Sequence, residues 1–129
     1  MSDSFIPDDV AQFIIDKIDS VAQMEALLLF RNEPQEAWTV AALAKRLYVN
    51  ENQTAAIINR LCAEGFLAVQ TSDLVQYRYA PSSQDLRQQI DRVCAIYTRH
   101  LVPVTNLIHS KPKTRVQEFA DAFRLRRDK

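Results

Sequence analysis

Apolar residues recur along the chain at two periods, and the change of period divides it. Val10, Phe13, Ile14 and Ile18 fall on one face at helical spacing. Before them, Pro7 is tolerated in a first turn, and Asp8 and Asp9 complement the positive end of a helix dipole. Asp19-Ser20 can cap a second helix, with Ser20 and Gln23 at capping-box spacing. Met24, Leu27, Leu28, Leu29 and Phe30 give that helix a wide apolar face. Residues 32–36, with Pro34, read as a loop, and Trp38 reads as a core or first-strand residue. A short helix over Val40–Leu47 follows the capping Thr39, with Val40, Leu43, Ala44 and Leu47 inward and Lys45 and Arg46 outward. After a turn at Tyr48-Val49-Asn50, a helix over about residues 51–63 turns Thr54, Ile58, Leu61 and Cys62 inward, with Ile57 at its edge. It leaves Asn52, Gln53, Ala55, Ala56, Asn59 and Arg60 outward. Gly65 can take the left-handed geometry that ends a helix. Beyond it the pattern turns β-like: residues 66–70 and 74–79 read as strands separated by Thr71-Ser72-Asp73.

Helix, tight turn, helix and hairpin is the order of a winged helix-turn-helix, which presents one helix to a surface with the hairpin beside it as a wing. Pro81-Ser82-Ser83 then stops the sheet and caps a long helix. Its apolar seam is Leu86, Ile90, Val93, Tyr97, His100, Val104 and Leu107, a heptad-like alternation. Pro103 should kink or interrupt this helix near Arg99. A last helix over about residues 114–125 places Val116, Phe119, Ala120 and Phe123 on one face and ends in cationic residues. The expectation is a mainly α protein with a small β-wing. It forms a single winged-helix domain over residues 1–129 with its core at 20–80, and residues 1–19 and 82–129 serve as helical dimerisation arms. Each fully buried seam side chain contributes about 1.5–3 kcal/mol, so the seam is expected to hold a homodimer.

Composition narrows the classes. Hydrophobic residues make up 47% and charged residues 25%, the balance of a globular domain. A single glycine and five prolines argue against a β-sandwich and against a disordered chain, and leave no room for a glycine-rich phosphate loop. No apolar run approaches the roughly 18 residues that cross a bilayer, and the acidic start is not a secretory signal. A cytoplasmic protein with no membrane partner is expected. Cys62 and Cys94 have no CxxC spacing and read as buried free thiols of a reducing compartment. His100 and His109 lie on roughly opposite sides of a helix, a poor metal pair. Asp85 and Asp91 share no helix face, as a catalytic carboxylate pair would. No enzyme, cofactor or metal is expected. Residues 1–73 hold five basic and eleven acidic side chains, a net of −6, and residues 74–129 hold the reverse, a net of +6. The helix-turn-helix half is therefore the acidic one, whereas phosphate binding draws on basic surface.

Residues 40–79 resemble the winged-helix domain of the MarR-like bacterial transcriptional regulators, in which a polar helix is followed by a leucine, a short linker, a glycine and an apolar strand. Here that stretch is NQTAAIINRLCAEGFLAV. The helices before Asn32 and after Ser83 sit where that family places its dimerisation helices. Ala56 holds the place usually taken by a basic residue, and the wing tip is Thr71-Ser72-Asp73, with Arg78 at the far end. The resemblance implies a symmetric homodimer reading double-stranded DNA at a palindromic operator. Asn52, Gln53, Asn59 and Arg60 would point toward bases, and Lys45, Arg46 and Arg78 toward phosphates. The alternative is a winged-helix protein-interaction module without sequence-specific DNA binding, because oppositely charged halves can pair between chains. A weaker alternative is a lipid or nucleic-acid tether at the basic last helix.

Overall fold

Four helices of this chain start where the sequence supplies a side-chain oxygen to cap them, whereas the first starts after Pro7 with no side-chain cap. In the computed structural model, which describes residues 6–110, the protein is mainly helical with one two-stranded antiparallel sheet. The elements are α1 (Asp8–Lys17), α2 (Val21–Asn32), α3 (Val40–Leu47), α4 (Glu51–Ala63), β1 (Leu67–Thr71), β2 (Val75–Tyr79) and α5 (Gln84–Arg99), then a helix over residues 101–110, here α6. Ser20 caps α2 through the Gln23 amide at 3.1 Å, and Thr39 caps α3 through that of Ala42 at 3.1 Å. Asn50 caps α4 through the Gln53 amide at 2.8 Å, and Ser83 caps α5 through that of Leu86 at 3.0 Å. The Gln23 side chain is buried and does more than the expected capping box. Its carbonyl accepts from the Asp19 amide at 2.8 Å and its nitrogen donates to the Lys17 carbonyl at 2.8 Å, so it staples the end of α1 to the start of α2.

The hairpin pairs Leu67 with Tyr79, Val69 with Tyr77 and Thr71 with Val75. Both strands begin one residue later than expected. Phe66 is occupied in ending α4, donating its amide to the Leu61 carbonyl at 3.0 Å, and Leu74 closes the tip by accepting from the Ser72 amide at 3.2 Å. Trp38 exchanges two backbone hydrogen bonds with Tyr77, each 2.8 Å, and serves as a one-residue third strand.

Two expectations about the long helix separate. It does break where Pro103 foretells: α5 ends at Arg99, His100 leaves helical geometry at φ −128°, and a new helix runs from residue 101. Pro103 then lies in the first turn of α6, where a missing N–H leaves no intrahelical bond unmade. The seam, in contrast, is covered within the chain at four of its seven positions, with Leu86, His100 and Leu107 half-buried. Ile90, Val93, Tyr97 and Val104 are buried within one chain, in a single core with Val10, Phe13, Ile14 and Ile18 of the α1 segment, Met24, Leu27 and Phe30 of α2 and Ile58 and Leu61 of α4. The helical period marked a buried face correctly, and its cover at these positions is α1 and the rest of the same molecule. The expected last helix, over 114–125, lies outside the described residues. Among the described residues no helix is long and apolar enough to cross a membrane.

Candidate nucleic-acid interface

α4 sits on α2 and α3 through Thr54, Ile57, Ile58 and Leu61, all buried. Thr54 is the one polar member of that face, and its hydroxyl donates to the Asn50 carbonyl at 2.9 Å. The opposite side of α4 carries Asn52, Gln53, Ala56 and Asn59, all exposed, with Ala55 half-buried beside them. The Gln53 carbonyl takes a weak 3.3 Å bond from the Asn50 side chain, which leaves its amide nitrogen available. This side is uncharged apart from Glu51 at its start, and its small central residue leaves a shallow profile.

The cations expected around α4 divide into two kinds. Lys45 and Arg46, in the last turn of α3, are exposed, and neither enters an ion pair among the described residues. Arg78 is exposed on β2, opposite Ala68 and near the base of the hairpin rather than its tip. Arg60 is different. Its guanidinium donates to Asp19 at 2.7 Å, to Glu64 at 2.9 Å and to the Asp16 carbonyl at 3.0 Å, while Lys17 holds the second oxygen of Glu64 at 3.2 Å. Turning Arg60 toward a base would break three charge-assisted hydrogen bonds, so its place is in the fold: it ties the end of α4 to the α1–α2 junction. Spacing alone put Arg60 on the outward face, and the partner that claims it, Asp19, is 41 residues away.

Among the described residues, one ion pair sets an acid of residues 1–73 against a base of residues 74–129. Asp9 binds Arg92 at 2.8 Å, and that hydrogen bond holds the Asp9 carboxyl below the usual carboxylate range. Arg31 binds Asp91 at 2.8 Å and is pushed up by it. Asp9, Asp19 and Glu64 are thus engaged by cations, whereas Lys45 and Arg46, on the helix packed against α4, enter no ion pair among the described residues.

Burial pushes the Cys94 thiol up to about 12 and raises that of Cys62, so neither is a ready thiolate. The Tyr97 hydroxyl donates to the Glu25 carboxylate in a structural pair between α5 and α2. Among the described residues no group of three or more His, Cys, Asp or Glu could hold a metal ion.

Two surface features escaped the sequence reading. Tyr48, read only as part of a turn, is 96% exposed with a left-handed backbone, φ 58°. It borders a shallow groove of about 970 Å³ together with Thr39, Lys45, Asn50 and Glu51. On the hairpin, Val69, Leu74 and Val75 are 58%, 61% and 50% exposed. The Val69, Thr71, Val75 and Tyr77 alternation signals that the apolar face of the hairpin runs outward past the core. No protein-family model matches the chain, and no curated protein matches its sequence.

Proposed function

We propose that this chain is a winged-helix DNA-binding protein that presents α4 to the major groove of double-stranded DNA and acts as a transcriptional regulator. The observation that carries this reading is the exposed row Asn52, Gln53, Ala56 and Asn59 beside the unpaired Lys45 and Arg46. The major groove admits a helix, and side-chain amides make paired hydrogen bonds to adenine there, while an alanine can meet a thymine methyl. Lys45, Arg46 and Arg78 supply the sequence-independent grip on phosphates. Arg60 has no part in base reading and keeps α4 seated. A palindromic operator requires a homodimer, and most of the seam is already covered within the chain. The dimer must therefore use other surface, for which Leu101 and Val102, 52% and 66% exposed at the start of α6, are apolar candidates. The test is fluorescence anisotropy with duplexes from the protein's own upstream region and with scrambled duplexes, at rising salt. Saturable binding that weakens with salt and prefers the upstream duplex supports the reading, and no binding at low salt overturns it.

A protein-interaction module is the second reading. It draws on the exposed Val69, Leu74 and Val75 of the hairpin, where a DNA-gripping wing would carry cations. Under it, Leu74→Ser abolishes partner capture and DNA binding is absent from the start.

A further inference from the structure

The two helices of the helix-turn-helix end in the same way. The Val49 amide bonds the Ala44 carbonyl at 3.1 Å, and the Phe66 amide bonds the Leu61 carbonyl at 3.0 Å, so each helix closes with a bond spanning six residues around one left-handed residue. After α4 that residue is Gly65, φ 84°, where a Cβ would come within 2.8 Å of the Ser82 hydroxyl. After α3 it is Tyr48, φ 58° and ψ 42°. A bulky residue in this region is strained, and glycine is the usual solution. Packing does not account for the exception, since 96% of Tyr48 is exposed. Strain that no internal contact repays is a mark of a functional position. The ring shares one groove with Lys45 and a second with Arg46, two cations that enter no ion pair among the described residues.

We propose that Tyr48 is a contact to the DNA backbone, held out by its left-handed turn so that the phenol hydroxyl donates to a phosphate beside those gripped by Lys45 and Arg46. The inference rests on the DNA reading of α4 and adds a residue and a role to it. A phenol is neutral and releases no counterion, and a phosphate contact carries no sequence information. Its signature therefore differs from that of its cationic neighbours: its loss weakens binding to all duplexes alike and leaves the salt dependence unchanged.

The experiment compares wild type, Tyr48→Gly and Tyr48→Phe by thermal unfolding and by anisotropy against one duplex over a salt series. Tyr48→Gly is expected to raise the unfolding midpoint, by relieving strain, and to weaken binding about 3- to 10-fold, the range for one lost hydrogen bond. Tyr48→Phe is expected to leave the midpoint unchanged and to weaken binding by a similar factor with the same salt slope. A Tyr48→Gly protein that is more stable and binds as well as wild type overturns the role of Tyr48 while leaving the DNA reading intact. Unchanged binding by Tyr48→Phe overturns the hydroxyl contact, and a lowered midpoint for Tyr48→Gly overturns the strain. Wild-type protein that binds no duplex at low salt overturns the DNA reading and this inference with it.

Discussion

α4 and α5 look alike in sequence. Each is an amphipathic helix with a Ser or Asn cap, each alternates apolar and polar residues at helical spacing, and each invites the idea of a surface for another molecule. In the fold they part. The apolar seam of α5 is spent inside the chain, with Ile90 fully buried and Val93 and Tyr97 nearly so against the core shared with α1. α4 spends only its Thr54–Leu61 face and leaves a row of amides in solvent. The period of a helix reports that one face is covered and is silent on what covers it. The informative face for function is therefore the one that periodicity leaves out: exposed, uncharged beyond Glu51 and small in its middle.

The sharpest way to break this contrast is Ile90→Ala. A buried isoleucine truncated in a core costs about 2–5 kcal/mol, read by chemical denaturation as a loss of stability that does not change with protein concentration. Near-wild-type stability, or a loss that appears only on dilution, would return the seam to an interface between chains. On the α4 side, Lys45→Ala with Arg46→Ala should move stability by no more than about 0.5 kcal/mol. The same pair should flatten the salt dependence of DNA binding by a slope of about 1.8, two phosphate contacts. An unchanged slope would remove these residues from the interface. Arg60→Ala belongs with α5 in this comparison, as a fold residue. Its ion pairs are part-exposed, and such pairs contribute about 0.2–1 kcal/mol each, so a modest loss of stability with sequence preference retained is expected. Relaxed preference without loss of stability would make Arg60 a reader after all. The smallest effect is that of the Asp9–Arg92 pair between α1 and α5. The folded-state pKa of Asp9 is lowered by Arg92, so its contribution is present at neutral pH and fades as pH falls through the carboxylate range. Arg92→Ala should remove that part of the acid sensitivity, measured as stability against pH. Identical acid limbs would show the pair to be inert.

Much of the local structure was legible. Thr39, Asn50 and Ser83 cap where their oxygens allow, and Gly65 ends α4 because the turn requires a left-handed residue with no Cβ. Pro103 marks the break between α5 and α6, since its ring cannot sit inside a continuous helix. What was not legible depends on distant partners. Arg60 faces outward by spacing, and only the fold brings Asp19 and the Asp16 carbonyl to it. The charge asymmetry suggested attraction between chains, while Asp9 and Arg92, 83 residues apart, meet within one. Tyr48 was invisible for another reason. A left-handed tyrosine leaves no mark in periodicity or composition, because it departs from a local preference rather than following one.

The central claim is that the amide row of α4 reads bases. It is tested most directly by anisotropy titration of wild type and of Asn52→Ala/Gln53→Ala/Asn59→Ala against a duplex selected by the wild type from a randomised pool, and against the unselected pool. The expected result is a clear wild-type preference for the selected duplex that the triple variant loses while keeping its affinity for the pool, since each good paired contact is worth about 1–3 kcal/mol of discrimination. A triple variant that keeps the preference, or a wild type that enriches no sequence, would contradict it.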